Sequence, residues 1–148
     1  MKFGIKVFQQ KLYKIGDRMN SINTFDIDGV IYMGEYGGVY PGLNDIIITG
    51  RSFEESEETL YMLNKKGIHN KVMFNQLSFD NKSRESSGIH KGNTILKLEQ
   101  QGHKIGIHFE DDPIQIAEIK KIVPHINIVY MQHDLVEKEN VRHIKDTE

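Results

Sequence analysis

The stretch Phe25-Asp26-Ile27-Asp28-Gly29 sets two carboxylates two residues apart at the end of a β-branched and aromatic run that begins at Ile22. Side chains at i and i+2 of an extended chain project to the same side, so Asp26 and Asp28 can face one site. Two like charges that close call for a proton on one of them or a cation between them. Gly29 permits a sharp exit from the strand, since it carries no Cβ. Taken alone, the pattern also fits an ordinary Asx-rich turn after a strand. Its weight comes from three later groups: Thr49-Gly50-Arg51, Lys91 and the run Glu110-Asp111-Asp112. If these meet Asp26 and Asp28, five carboxylates crowd one rim. All-oxygen ligands then favour magnesium over zinc. The remaining groups suit a phosphate: the Thr49 hydroxyl, the Gly50 and Arg51 amides near a helix start, and the Lys91 ammonium. A carboxylate can attack phosphorus to give an aspartyl phosphate. A second acid two residues on can protonate the leaving oxygen and later activate water.

The elements that must position these groups alternate. Residues 22–25 read as a strand, followed over 31–44 by a glycine- and tyrosine-rich loop or hairpin, either a small flap over a site or a packed turn. Asp45-Ile46-Ile47-Ile48-Thr49 has the continuous apolar character of a strand buried on both faces. Ser52 with Glu55 forms a capping-box pattern, and Phe53, Leu60 and Leu63 supply the apolar face of a helix that Gly67 ends. A third strand is expected over 71–75, a polar surface loop over 78–90 and a second helix over 91–101 with Ile95 and Leu98 inward. A fourth strand over 104–109 leads to Asp112-Pro113, a good N-cap and first helical position. Ile116, Ile119 and Val123 face the core of that third helix, and 127–131 form a fifth strand. Such alternation implies one α/β domain with a doubly wound, mainly parallel five-stranded sheet and helices on both faces. In such sheets ligands collect at the carboxyl ends of the strands, where all the candidate groups fall.

The 148 residues suit one domain, divided here into an N-terminal extension (1–18), a catalytic core (19–131) and a charged tail or terminal helix (132–148). Phe3, Ile5 and Val7 alternate as an edge strand would, among the lysines of a peripheral extension. A net charge of −2 argues against a stable nucleic-acid coat. The absence of cysteine excludes disulfides, thiolate zinc and a cysteine nucleophile, and fits a cytoplasmic location. The apolar runs are too short for a membrane span.

Taken together, these motifs resemble the haloacid dehalogenase-like hydrolase superfamily, with its four signatures in order. Phe25-Asp26-Ile27-Asp28-Gly29-Val30 matches the first. The resemblance makes Asp26 the nucleophile and Asp28 the acid/base, with the Asp28 main-chain carbonyl on the metal. Ile46-Ile47-Ile48-Thr49-Gly50-Arg51 matches the second and gives Thr49 the phosphoryl-binding role, with Gly50 and Arg51 beside it. Lys91 fits the third as the residue opening the helix before strand four, with Lys82 as its rival. Ile105-Gly106-Ile107-His108-Phe109-Glu110-Asp111-Asp112 matches the fourth. Glu110-Asp111 align with its acidic pair, Asp111 as magnesium ligand and Glu110 direct or through water, which leaves Asp112 to cap the helix. A glutamate in the first position departs from the commonest pattern. The second aspartate, Asp28, points to phosphatases rather than dehalogenases. Only about twenty residues separate the first two signatures, as in members without a large cap domain.

The implied protein is a magnesium-dependent phosphatase. Its open site would admit a small phosphate ester or a phosphorylated nucleic-acid end, and it is compatible with a homo-oligomer. A receiver-like module or a catalytically idle phosphate-binding module on the same fold is the competing reading. His108, alternating with Ile107 and Phe109, reads as a packed histidine. His90, Arg84, Ser86 and Ser87 read as surface groups that could instead approach a phosphate.

Overall fold

A computed structural model describes residues 21–138. The expectations for residues 1–18, and for the part of the tail over 139–148, lie outside the described residues. Five strands, β1 (Ser21–Phe25), β2 (Ile46–Ser52), β3 (Val72–Asn75), β4 (Lys104–Glu110) and β5 (Ile128–Tyr130), form one all-parallel sheet in the order β3-β2-β1-β4-β5. Three helices accompany them: α1 (Ser56–Lys65), α2 (Arg84–Gln100) and α3 (Pro113–Ile122). The architecture is doubly wound and Rossmann-like, with no large cap among the described residues. No helix among the described residues is long and apolar enough to cross a membrane.

Alternation along the strands divides the core between the two faces. Ile22, Ile46 and Ile48 pack with Ile95 and Leu98 of α2 and with Ile119 and Val123 at α3. Phe25 and Ile47 turn the other way, towards Leu63 of α1, Ile68 and the post-strand residues Ile27, Val30 and Ile31. The three consecutive isoleucines of β2 are all buried, as a central parallel strand requires. Thr24 pairs with Ile46 on one side and His108 on the other, which makes β1 the centre of the sheet. From β1 the chain winds outward through β2 to β3, then crosses back to β4 and β5. The mouth between the ends of β1 and β4 is therefore the topological switch point, where open α/β sheets bind ligands.

Several expectations are corrected, the first being that β2 runs on to Ser52, so Thr49, Gly50 and Arg51 lie within the strand rather than in a turn after it. Phe53 and Leu60 are 47% and 44% exposed, and the buried face of this segment is Glu55, Thr59 and Leu63. Residues Phe53–Glu55 form a 3-10 turn, which turns Phe53 outward before α1 starts. Two of the three buried positions are polar, so hydrophobic periodicity could not find them. The supposed loop over 78–90 is mostly helix: α2 starts at Arg84, capped by Ser83 and Ser86 bonding reciprocally. A serine in place of the usual glutamate hid this capping box. Lys91 consequently does not open the helix but lies about two turns inside it. Ile116 is only half-buried, and Gln115 takes a buried position beside Ile119.

Candidate functional site

Asp26 follows β1 directly, its amide continuing the ladder to the Phe109 carbonyl at 3.1 Å. Its Oδ1 accepts from the Ile27 amide at 2.8 Å and from Lys91 Nζ at 2.9 Å. Lys91 reaches it from α2 and also donates to Glu110 Oε1 at 2.7 Å. The helix comes this close because Gly88 and Gly92 face α3: a Cβ on Gly88 would stand 2.9 Å from the Gln115 Cα, and one on Gly92 would stand 2.9 Å from Ile122 Cδ1. The rival Lys82 lies elsewhere, 3.9 Å from Glu55 and over the Phe79 ring. The geometry thus brings Lys91, and not Lys82, to Asp26.

All three members of this ion cluster are at least 96% buried, so water contributes little screening. Burial pushes the Asp26 carboxyl well above its usual value, and the charges of Glu110 and Asp111 add to this more than the Lys91 ammonium offsets. For Glu110 burial acts upward too, yet Lys91 and His108 outweigh it and hold the group below the usual glutamate range. Of two acids sharing one ammonium, Glu110 is thus held towards its charged form while Asp26 is pushed towards its neutral one. Burial pushes His108 down, so the ring is neutral. Its partners assign the tautomer: Nε2–H donates to Glu110 Oε1 at 3.2 Å, and Nδ1 accepts the Thr24 hydroxyl at 2.7 Å. His108 is the packed histidine expected, and it also steadies Glu110.

Asp28 lines the same small cavity as Asp26 and is held by a fork from Arg51, Nε to Oδ2 at 2.9 Å and Nη2 to Oδ1 at 2.7 Å. Burial works against the Arg51 charge, but the Asp28 carboxylate outweighs it and raises the guanidinium's proton affinity. Arg51 Nη1 also donates to Thr59, one of the unforeseen buried polar positions, at 3.2 Å. The Thr49 side chain is fully buried, and its Oγ1 accepts the Arg51 amide at 3.1 Å. The Arg51 guanidinium and amide are therefore both engaged within the protein, while Gly50 lines the site.

Across the mouth, Asp111 is 3% exposed and takes Lys138 Nζ on Oδ2 at 2.8 Å. Lys138 also donates to the Asp111 carbonyl at 3.0 Å, and His133 Nε2–H donates to the Gly29 carbonyl at 2.7 Å, so residues 131–138 strap over the site. Burial, joined by the Glu110 charge, raises the Asp111 carboxyl against the lowering by Lys138. Gly29, at φ 87°, admits this carboxylate, because any Cβ there would overlap Asp111 Oδ2. Asp112 is spent on structure. It caps α3 through the Ile114 amide at 2.9 Å and takes an Arg84 fork at 2.9 and 2.7 Å. Burial would raise its carboxyl, but these donors hold it down. His90 points away, its Nε2 3.2 Å from the Met73 carbonyl.

A cavity of about 10 Å³ remains among Asp26, Asp28, Gly50, Asp111, Gln115 and Lys138, room for one water or one ion. Carboxylate oxygens of Asp26, Glu110 and Asp111 lie within 4.8 Å of one another. Gln115 Nε2 donates to Asp112 at 3.1 Å, but its Oε1 is buried without a hydrogen-bond partner among the described residues. A buried orphan oxygen beside crowded carboxylates is the donor set a hard divalent cation requires. Asp26, Glu110 and Asp111 are thus the carboxylates that could hold a cation, and Gln115, which lines the same cavity, offers a further oxygen.

Asp26, Lys91, Glu110 and Asp111 thus come together as a cluster, with Asp28, Thr49 and Arg51 along one side. Sequence reasoning missed Gln115, Lys138 and His133. Gln115 had a signal, a polar residue four positions before Ile119 on the inner helical face; the two strap residues had none. No family model, no curated protein and no solved structure matches the chain.

Proposed function

We propose that the protein is a magnesium-dependent phosphomonoester hydrolase of the haloacid dehalogenase-like type, working through an aspartyl phosphate on Asp26. The observation that carries this reading is Lys91, which bridges Asp26 and Glu110 from inside α2 at the switch point of the sheet. A lysine neutralising a buried aspartate at a strand end, beside a second aspartate two residues on, is the arrangement that nucleophilic attack on a phosphate ester needs.

Asp26, Asp111 and Glu110, with the Gln115 oxygen beside them, would hold the cation, which would neutralise charge on the phosphoryl oxygens and lower the proton affinity of Asp26. A carboxylate oxygen of Asp26 attacks phosphorus, the bond from phosphorus to the leaving oxygen breaks, and that oxygen takes a proton from Asp28. Asp28, now a carboxylate, takes a proton from water as the water oxygen attacks the phosphoryl group. The Asp26–phosphorus bond breaks, inorganic phosphate leaves, and Asp28 is again protonated. Arg51 grips both Asp28 oxygens in this conformation, so proton donation requires it to release one. The cavity is too small for a phosphate while Lys138 stays, so substrate entry displaces the strap.

The test is phosphate release across sugar phosphates, nucleotides and phosphorylated oligonucleotides, with and without magnesium, with Asp26→Asn as control. Release that needs magnesium and falls by at least a thousandfold in the variant is expected. Equal release by Asp26→Asn, or none by the native chain on any ester, would overturn the reading.

A further inference from the structure

We propose that the groove between α1 and the 31–44 loop is the leaving-group subsite of this site, and that it takes a nucleotide. The inference rests on the phosphatase reading and specifies its substrate. Asp28 protonates the leaving oxygen in that reading, so the rest of the substrate extends from phosphorus towards the Asp28 side. Arg51 occupies that side, and one residue, Arg51, both grips Asp28 and lines a groove of about 600 Å³. This volume is in the range of small-ligand sites.

The groove's walls have two kinds of chemistry. Tyr32, Tyr61 and Met62 supply flat or polarisable apolar surface, and Lys65 and Lys66 supply cations. Tyr61 is 62% exposed, more than a ring packed only for the fold requires. Lys65 Nζ stands 5.1 Å from the centre of the Tyr61 ring, and Lys66 Nζ stands 5.9 Å from both the Tyr32 and the Tyr40 rings. The same ring faces accept a stacked nucleobase, a stronger contact than an exposed cation–π pair. A base arriving there displaces the ammonium groups from the rings, and they then meet the sugar hydroxyls or the further phosphates of a longer nucleotide. Glu58 is the groove's carboxylate, and Arg51 is already neutralised by Asp28, so the two lysines leave one positive charge in excess. A sugar phosphate would offer the tyrosines nothing to stack.

Binding and turnover are measured separately. Binding of adenosine monophosphate and of ribose 5-phosphate to the full-length Asp26→Asn chain is followed with magnesium by calorimetry. Tyrosine emission provides a second readout, since the protein contains no tryptophan. The nucleotide should bind about tenfold more tightly than the sugar phosphate, and Tyr61→Ala in the same background should remove most of that difference. In otherwise native chain, Tyr61→Ala should lower the ratio of kcat/KM for the nucleotide over that for ribose 5-phosphate. A 5′-phosphorylated oligonucleotide distinguishes the source: preference over the mononucleotide assigns the groove to a nucleic-acid end, parity to a free nucleotide. Equal binding of the two small phosphates, or a Tyr61→Ala preference like the native one, would overturn the proposal. Nucleotide binding that depends on Tyr61 in a protein that hydrolyses no ester would leave the subsite standing and remove the phosphatase reading.

Discussion

Lys91 serves two carboxylates with one ammonium, and the unequal split governs the pH behaviour of the metal-free protein. Burial raises Asp26, so between the unfolded carboxylate range, near pH 4, and Asp26's own raised value the folded chain binds a proton that the unfolded chain does not. Stability contributed by that extra proton is present at low pH and is lost as pH rises through this window. Asp26→Asn has no proton to lose. In EDTA the variant should therefore melt above the native protein at pH 8, with the difference shrinking towards pH 4.5. A variant that melts lower at pH 8 would show that the Asp26–Lys91 pair outweighs burial. Glu110 behaves oppositely, its lowered value giving stability that is present at neutral pH and lost on acidification through that value. Glu110→Gln removes the carboxylate that stays charged beside Lys91, so the buried ammonium goes uncompensated unless Asp26 gives up its proton, and the variant should cost on the order of 3 kcal/mol in chemical denaturation at pH 7.

Two elements control access to these residues. The approach of α2 to α3 at Gly88 and Gly92 leaves no room for a methyl group. Helix propensity alone would make Gly88→Ala favourable by up to about 1 kcal/mol. The clash with the Gln115 backbone outweighs it, and a net loss of about 1–2 kcal/mol should appear in urea melts. Because the shift pushes Gln115 away, the variant should also bind magnesium more weakly. The strap over 131–138 acts on the opposite wall, where Lys138 neutralises Asp111 with an ammonium that a divalent cation must displace. Such a partly exposed pair is worth about 1 kcal/mol at most, which corresponds to about fivefold in binding. Lys138→Ala should lower the half-saturating magnesium concentration by about that factor in calorimetry. An unchanged value would show that the strap does not compete with the cation.

At the scale of the whole molecule, a core divided between two faces holds a cluster of ions that water would otherwise keep apart. Desolvation costs several kcal/mol per ion, and a bound cation offsets part of it. Magnesium at about a hundred times its Kd should stabilise the fold by roughly 2.7 kcal/mol, a rise of about 5–10 °C in Tm. Asp26 and Asp111 both lean towards their neutral forms, so the rise should be larger at pH 8 than at pH 5.5. The sequence by itself determined the alternation of strands and helices, the buried isoleucine run of β2, the Asp112-Pro113 cap and the placing of Asp26 and Glu110-Asp111 at strand ends. These are local patterns, set by periodicity and by caps within a few residues. Only the tertiary structure decided that Lys91 rather than Lys82 meets Asp26, that Arg51 closes on Asp28, that Asp112 is consumed by Arg84, and that Gln115 and Lys138 complete the site. Each of these pairs residues far apart in the chain through buried polar contacts, and neither hydrophobic periodicity nor local capping records which distant partner a polar side chain will find.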